Sequence, residues 1–223
     1  MTAVDFFQNG LYFICHTARR ELAEFREFNA AIEDMWRQRD DDLQGQIDGS
    51  LARYSPDVHH EIIQAYAEEL HRNQYKFPGV HRESVLITLY SFLESQMNEV
   101  CDIIADSIDS QIRYTHLKGK GVNRALTFLV RVAQFDLSSM GSEWSFIKGA
   151  NQLRNLVVHN GGILRNDPKL NAFVRNNNNV YGKPGSHISL GPGFIDEFIS
   201  NLDGFFEKLD REVQRFISTV DTQ

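Results

Sequence analysis

Residues 154–159 contain an arginine, an asparagine and a histidine whose side chains together suit the cleavage of RNA. A histidine can take the proton from a ribose 2′-hydroxyl or give one to the leaving oxygen. An arginine can hold the phosphate and stabilise the charge that builds on it in the transition state. An asparagine can orient either group. We therefore predict Arg154, Asn155 and His159 as catalytic residues of a reaction that needs no metal ion and no cofactor.

The spacing of these three residues limits how they can act. In a helix, Asn155 and His159 are four residues apart and lie on one stripe. Arg154 and His159 are about 140° apart around the helix axis, so one helix does not close a site around one phosphate. Two copies that meet at a twofold axis can present both residues to a shared cleft. The spacing therefore predicts a homodimer.

The pattern Arg154-Asn155-x-x-x-His159, on the penultimate predicted helix and directly before Asn160-Gly161, resembles the signature of the HEPN superfamily. That signature is an arginine, an adjacent polar residue and a histidine after four to six intervening residues. The resemblance covers about residues 80–220. It implies a small helical bundle, usually dimeric, and in many members a metal-independent endoribonuclease of prokaryotic toxin–antitoxin, CRISPR-associated or phage-defence systems. It also implies that Arg154 and His159 are catalytic and that Asn155 supports them.

One position departs from the pattern of this family. HEPN toxins that pair with a nucleotidyltransferase antitoxin commonly have a tyrosine two residues after the histidine, and this tyrosine accepts the modification. Here that position is Gly161. The departure argues against a partner of that kind and leaves open another antitoxin or defence-system partner.

The charge of the chain is unevenly distributed along its length. The net charge is −7, which argues against a protein that coats nucleic acid through bulk positive charge. Residues 1–75 hold 14 acidic and 7 basic side chains, whereas residues 113–183 hold 11 basic and 3 acidic ones, a balance of +8. This distribution predicts a local basic cleft; the alternative is a solvated face whose charges do not converge. The predicted RNA-binding residues of this segment are Lys118, Lys120, Lys148 and Arg165.

Other polar residues are weaker candidates for the same site. Glu94 and Asn98 lie midway along a long predicted helix, where Glu94 can hold the arginine in place; the alternative is that both face solvent. Lys118 and Lys120 precede a predicted helix and can meet a phosphate there, or simply form a turn between helices. No histidine and cysteine cluster has the spacing of a zinc site, so we predict no metal.

Apolar residues recur at three- and four-residue steps along most of the chain, which predicts an all-α bundle of about six helices. The first helix is predicted to end at the acidic run 40–42 and the glycines that follow it, and the second at Phe77-Pro78-Gly79. Residues 163–192 are predicted to be a polar excursion in which residues 173–174 pair with 180–181 and residues 187–190 add an edge. The predicted helices are residues 3–40, 56–74, 81–110, 122–136, 142–160 and 193–219.

The domain organisation and location follow from composition. We predict that residues 1–75 form an acidic helical extension packed on the same domain as the HEPN-like residues 76–223. Cys15 and Cys101 form no disulfide framework, which favours a reducing compartment. No apolar run approaches the roughly 18 residues of a membrane span, and the N-terminus is not typical of a signal peptide. We therefore expect a cytoplasmic protein with no membrane partner.

Two functions are consistent with these features. The first is a metal-independent endoribonuclease of toxin or phage-defence type that cleaves RNA in a cleft at a homodimer interface. The alternative is a non-catalytic HEPN-like helical module that binds a partner protein or a nucleotide. The acidic N-terminal region, and the lack of a second catalytic motif in the sequence, favour the alternative.

Overall fold

The computed structural model describes residues 4–220, and the chain there is mostly helical. Two short strands, β1 (Val180–Tyr181) and β2 (Ser189–Leu190), pair antiparallel. The predicted all-α class, with a small β-hairpin before the last helix, is confirmed. Within the described residues no helix has both the length and the apolar character needed to cross a membrane. The α-helices are α1 (Ile14–Leu51), α2 (His59–His71), α3 (Phe77–Ser107), α4 (Gly121–Arg131), α5 (Gly141–Asn160), α6 (Pro168–Asn176) and α7 (Phe194–Val220).

Contacts between residues divide the chain into two compact units. Helices α1, α3, α5 and α7 each contribute residues to both units. The described residues 4–75 also contribute to both, and the division into an acidic extension packed on a HEPN-like domain stays a prediction. Unit 1 consists of the described residues 4–25, 87–155 and 197–220, and unit 2 consists of residues 26–86 and 156–196.

The core of unit 1 is built on the phenylalanine-rich face of α7. Phe198, Phe205 and Phe206 are each at most 1% exposed. Two aromatic rings of α5 pack on this face, Trp144 against Phe205 and Phe146 against Phe198, each with ring centroids 6.3 Å apart. Burying one large apolar side chain contributes about 1.5–3 kcal/mol, so the fully buried Ile147 and Leu153 fix which side of α5 faces inward.

In unit 2, helix α1 is longer than its sequence predicts. The predicted end of the first helix, at the acidic run and the glycines that follow, is wrong, because α1 continues through Gly45 and Gly49 to Leu51. Leu43 and Ile47, one helical turn apart, are both 3% exposed. A glycine inside a helix costs about 1 kcal/mol, whereas burial of each of these apolar side chains contributes about 1.5–3 kcal/mol. Tertiary packing therefore outweighs the local preference of the glycines.

The predicted end of the second helix, at Phe77-Pro78-Gly79, is also wrong. Helical turns continue from α2 into α3 through a π-helical turn, Arg72–Lys76, in which the N–H of Phe77 donates to the carbonyl of Arg72. Proline has no N–H to donate, and its ring crowds the carbonyl four residues earlier. The wider π turn directly before Pro78 accommodates this residue without ending the helical path.

Helix α6 lies in the segment that the sequence predicts to be non-helical. Asp167 is its N-cap, and the carboxylate of this residue accepts hydrogen bonds from the N–H groups of Lys169 (2.8 Å) and Leu170 (3.1 Å). Pro168 occupies the first helical position, where its missing N–H costs nothing. The Asp-Pro pair is thus a helix start, and the prediction of a non-helical segment overlooked it.

The hairpin has a different pairing from the predicted one. Residues 173–174 do not pair with β1, because they lie inside α6. Instead β1 pairs with β2, with Val180 opposite Leu190 and Tyr181 opposite Ser189. Val180 and Leu190 are buried on the core side, and their neighbours in the strands are exposed. The predicted edge at residues 187–190 therefore supplies the second strand.

An ion pair that is largely shielded from solvent joins three elements of unit 2. The guanidinium group of Arg82 on α3 donates two 2.6 Å hydrogen bonds to the carboxylate of Glu33 on α1. A third hydrogen bond, of 3.0 Å, goes to the carbonyl of Leu190 in β2. The two side chains are only 12% and 16% exposed. Such a bidentate pair holds the hairpin against α1 and α3, and removing one partner leaves a buried charge without its counter-ion.

This arrangement predicts a large difference between two neighbouring substitutions on α1. Glu33→Ala should lower the free energy of unfolding by about 2–4 kcal/mol, because Arg82 is left buried and unpaired. Asp34→Ala is the matched control; its pair with Arg37 is 70% and 64% exposed and should contribute less than about 0.5 kcal/mol. Urea unfolding followed by circular dichroism measures both. Equal losses for the two variants would contradict the role of the buried pair.

Candidate functional site

Helix α5 has nearly the predicted bounds and carries all three predicted catalytic residues. Leu153 and Leu156 form an apolar stripe that is buried in the core, at 0% and 3% exposure. Arg154 and Asn155, on the flank beside that stripe, are half-buried, and His159 is exposed in the last turn. Because α6 follows, α5 is not the penultimate helix, contrary to the prediction.

The guanidinium group of Arg154 is held by contacts within unit 1. Its Nη1 donates a 3.0 Å hydrogen bond to Oδ1 of Asn155. Nδ2 of Asn155 in turn donates to Oδ1 of Asn151, at 3.3 Å. The guanidinium carbon lies 5.7 Å from the centre of the Tyr90 ring, a cation–π distance. The Nε atom of Arg154 is buried and has no hydrogen-bond partner among the described residues.

Tyr90, on α3, was not predicted from the sequence, yet it is the residue on which Arg154 rests. Its side chain is buried, and this burial raises the pKa of its hydroxyl to about 12. The negative charge of Glu94 adds to this rise in pKa, and the positive charge of Arg154 opposes it. Tyr90 lies one helical turn before Glu94, so the stripe that predicted Glu94 extends to it. Tyr90 therefore acts as a positioning residue for the arginine.

The structure places Glu94 close to this group without pairing it to the arginine. Glu94 lies against Gly121, where a Cβ atom would be 3.1 Å from Oε1 of Glu94. No ion pair within 4.0 Å joins Glu94 to Arg154 in the described part of the chain. Asn98 is half-buried, and its Oδ1 atom has no hydrogen-bond partner among residues 4–220. Both side chains are thus partly enclosed and not fully solvent-facing.

The predicted RNA-binding residues lie on three different elements. Lys118 and Lys120 are exposed in the turn before α4, and Lys148 is exposed on α5. Arg165 follows α5 and donates a hydrogen bond to Oδ1 of Asn160. Within residues 4–220, no hydrogen bond or ion pair joins these four side chains to one another. Only Lys148 shares a helix with the predicted catalytic residues.

After His159 the chain reverses through two glycines with positive φ, Gly161 (+57°) and Gly162 (+74°). The segment that follows bonds to residues 185–188, with the N–H of Leu164 donating to the carbonyl of Ser186 (2.9 Å). The N–H of Ile188 donates to the carbonyl of Gly162, also at 2.9 Å. This pairing brings a distant part of the chain back to the end of α5.

The pairing sets a second histidine, His187, against Gly162. A Cβ atom on Gly162 would overlap the imidazole ring and lie 2.7 Å from its Cε1 atom. Nδ1 of His187 is 2.6 Å from the carbonyl oxygen of Ile188. Burial raises the pKa of the nearby Glu83 carboxyl, and His187 lowers it. His187 was missed because its position depends on pairing between segments more than twenty residues apart, and no local pattern indicates that pairing.

The sequence and structure of the chain match no protein-family model, no curated protein and no solved structure. Within residues 4–220 no three histidine, cysteine, aspartate or glutamate side chains are grouped so as to hold a metal ion.

The contact between His187 and Gly162 predicts unequal effects at the two adjacent glycines. Gly161→Ala and Gly162→Ala both force a Cβ atom into the left-handed region, which costs about 1–2 kcal/mol. Gly161 has open space around it, so Gly162→Ala should cost at least about 1 kcal/mol more through overlap with His187. Thermal or urea unfolding measures the difference. Adding His187→Ala should remove the excess; an excess that persists would contradict the contact.

Burial of Tyr90 predicts a loss of stability at alkaline pH. Its hydroxyl ionises near pH 10 in the unfolded chain and at about 12 in the folded one. The folded state favours the protonated hydroxyl. The stability that this preference provides is fully present below pH 10 and is lost as the pH rises through 12. Urea unfolding between pH 9 and 12 should show a smaller decline for Tyr90→Phe than for the wild type. Parallel declines would show that this hydroxyl is not the group responsible.

Proposed function

We propose that this protein is a HEPN-like, metal-independent endoribonuclease that acts as a homodimer. The proposal rests on the orientation and exposure of the three residues on α5. Arg154 is held in one orientation by Asn155 and Tyr90, while His159 is exposed at the end of the same helix. An oriented cation and an accessible imidazole are the groups that cleavage at a ribose 2′-hydroxyl requires.

The proposed reaction is transfer of the phosphodiester to the 2′-oxygen. His159 of one protomer takes the 2′-hydroxyl proton, and the 2′-oxygen attacks phosphorus in line with the 5′-oxygen. The guanidinium of Arg154 stabilises the charge on the phosphate oxygens. The bond from phosphorus to the 5′-oxygen then breaks, and the partner's His159, in its protonated form, supplies the proton to that oxygen. The products carry a 2′,3′-cyclic phosphate and a 5′-hydroxyl.

The outer stripe of α5 supports a single-stranded substrate. Lys148 lies seven residues before Asn155, and Asn155 lies four residues before His159. All three therefore share one helix face. Lys148 and His159 are about 16 Å apart along the axis, a length that a few nucleotides span. Lys148 is exposed and makes no ion pair within the described residues, so it is available to an RNA phosphate. A flexible strand can also adopt the in-line geometry of attack.

Exposed apolar side chains beside the histidine support the second copy. Val158, directly before His159, is 46% exposed, and Ile163, four residues after it, is 44% exposed. Apolar groups at the centre of a surface are suited to burial against an identical surface across a twofold axis. Arg154 and His159 point about 140° apart, so the second copy would complete the site. The antitoxin or defence role belongs to this proposal as an expectation from the resemblance, and the cytoplasmic location belongs to it as an expectation from the composition.

The test is cleavage of total RNA in the presence of a chelator. Wild-type protein should leave 2′,3′-cyclic phosphate ends, and Arg154→Ala or His159→Ala should lower the rate by about 100-fold or more. His60→Ala and Arg20→Ala, exposed residues outside the site, are matched controls and should retain full activity. Mixing the two inactive variants should not restore wild-type activity, because each mixed dimer holds only one of the two His159 side chains that the reaction uses.

Two results would decide against the nuclease. One is equal cleavage by His159→Ala and the wild type, which would remove the histidine from the reaction. The other is no cleavage of any RNA by a wild-type protein that light scattering shows to be monomeric. In that case the exposed Val158 and Ile163 favour the alternative, a non-catalytic module that binds a partner protein.

A further inference from the structure

Unit 2 contains a surface cleft that takes no part in the proposed cleavage of RNA. Its volume is about 420 Å³, within the range of small-molecule sites. Two apolar side chains line it, the buried Leu43 and the partly exposed Phe77. The other lining side chains are polar and come from α1, α2 and the π turn: Arg39, Asp42, Gln46, Glu69, Arg72 and Asn73.

The charged groups of the cleft face it without neutralising one another. Two guanidinium groups and two carboxylates line it, and within the described residues none of them pairs with another. Arg72 makes the one ion pair found among these four groups, a 3.7 Å contact to Glu68, whose side chain is 86% exposed. A simple anion entering the cleft meets two carboxylates, and a simple cation meets two guanidinium groups. A ligand with one charge of each sign satisfies both pairs.

The walls of the cleft are held in place by specific contacts. The guanidinium carbon of Arg39 lies 5.4 Å from the centre of the Trp36 ring, which leaves its N–H edge for other partners. Trp36 in turn stacks on Phe77, with ring centroids 5.7 Å apart and planes 12° from parallel. Nε2 of Gln74 in the π turn donates to the carboxylate of Asp40 on α1, at 2.9 and 3.2 Å. These contacts join the π turn and the start of α3 to α1.

We propose that the cleft binds a zwitterionic ligand with an apolar side chain, of the α-amino acid or short-peptide class. Arg39 and Arg72 receive the carboxylate, for which the guanidinium fork is the matched donor. Asp42 and Glu69 receive the ammonium group, and the apolar floor receives the side chain. The two lining amides suit a peptide bond, so a dipeptide fits better than a free amino acid. The assignment does not depend on the nuclease proposal.

Blocked ligands test the need for both charges. Leucyl-leucine and L-leucine are titrated into the full-length protein by calorimetry, and Trp36 fluorescence provides a second readout beside the cleft. We expect leucyl-leucine to bind more tightly than L-leucine. N-acetyl-leucyl-leucine lacks the ammonium group and leucyl-leucinamide lacks the carboxylate, and each should bind about tenfold more weakly or worse. Equal affinity of a blocked and a free dipeptide overturns the proposal.

Variants of the protein assign each charge to its partners. Arg39→Gln/Arg72→Gln should weaken leucyl-leucine binding about tenfold or more and abolish its advantage over the amide. Arg37→Gln/Arg53→Gln changes the net charge equally with exposed residues outside the cleft, and should bind like the wild type. Circular dichroism confirms the fold of each variant.

A second pair of substitutions keeps the test independent of the arginines. Asp42→Asn/Glu69→Gln should abolish the advantage of leucyl-leucine over its N-acetyl form and keep its advantage over the amide. The assignment is overturned if no zwitterion binds below roughly 10 mM, or if both pairs of variants bind like the wild type. Binding that is lost in Arg154→Ala and kept in the cleft variants also overturns it, because the ligand is then on α5.

Discussion

Burial of the phenylalanine face of α7 is the constraint on which unit 1 depends. Phe198 and Phe205 are fully buried, and the aromatic rings of α5 pack on them. Leu153 is fully buried on the same side of α5 as Phe146. The helical period then places Lys148 and Asn155 on the opposite side, toward solvent, and their seven-residue spacing aligns them on one face.

Polar groups that enter the protein interior are stabilised by a small number of specific partners. Arg154 rests on the neutral ring of Tyr90 and on the amide of Asn155, which orients a cation without neutralising it. The guanidinium group of Arg82 instead forms a bidentate ion pair with the carboxylate of Glu33, which neutralises its charge. The contrast is physical: the arginine that we propose to bind a phosphate keeps its charge available, whereas the one that joins secondary structure elements is paired. The proposed nuclease depends on the first of these arrangements, and the fixed hairpin of unit 2 depends on the second.

The two proposals rest on different parts of the chain and on different chemistry. The nuclease proposal uses an oriented cation and an exposed imidazole on α5, within the basic segment 113–183. The cleft proposal uses charges of both signs that do not pair with one another, on α1, α2 and the π turn within the acidic segment 1–75. Acidic composition alone does not indicate a partner in either case. What matters is which charges face a cavity and which are already neutralised.

The sequence by itself determined the features that depend on neighbouring residues. The helical class, the position of α5 and the shared stripe of Asn155 and His159 follow from the spacing of apolar and polar residues within one helix, because a helix repeats every 3.6 residues. The start of α6 also depends on neighbouring residues alone, because Asp167 caps the helix and Pro168 occupies its first position. The sequence prediction did not include this N-cap.

Only the tertiary structure decided the features that join distant residues. Helix α1 continues through Gly45 and Gly49 because Leu43 and Ile47 are buried in unit 2. Tyr90 lies beneath Arg154, and His187 lies against the glycine turn after α5, because helices and segments far apart in the chain pack together. Local propensities amount to about 1 kcal/mol per residue, and the burial and pairing energies that override them come from residues a sequence pattern does not connect.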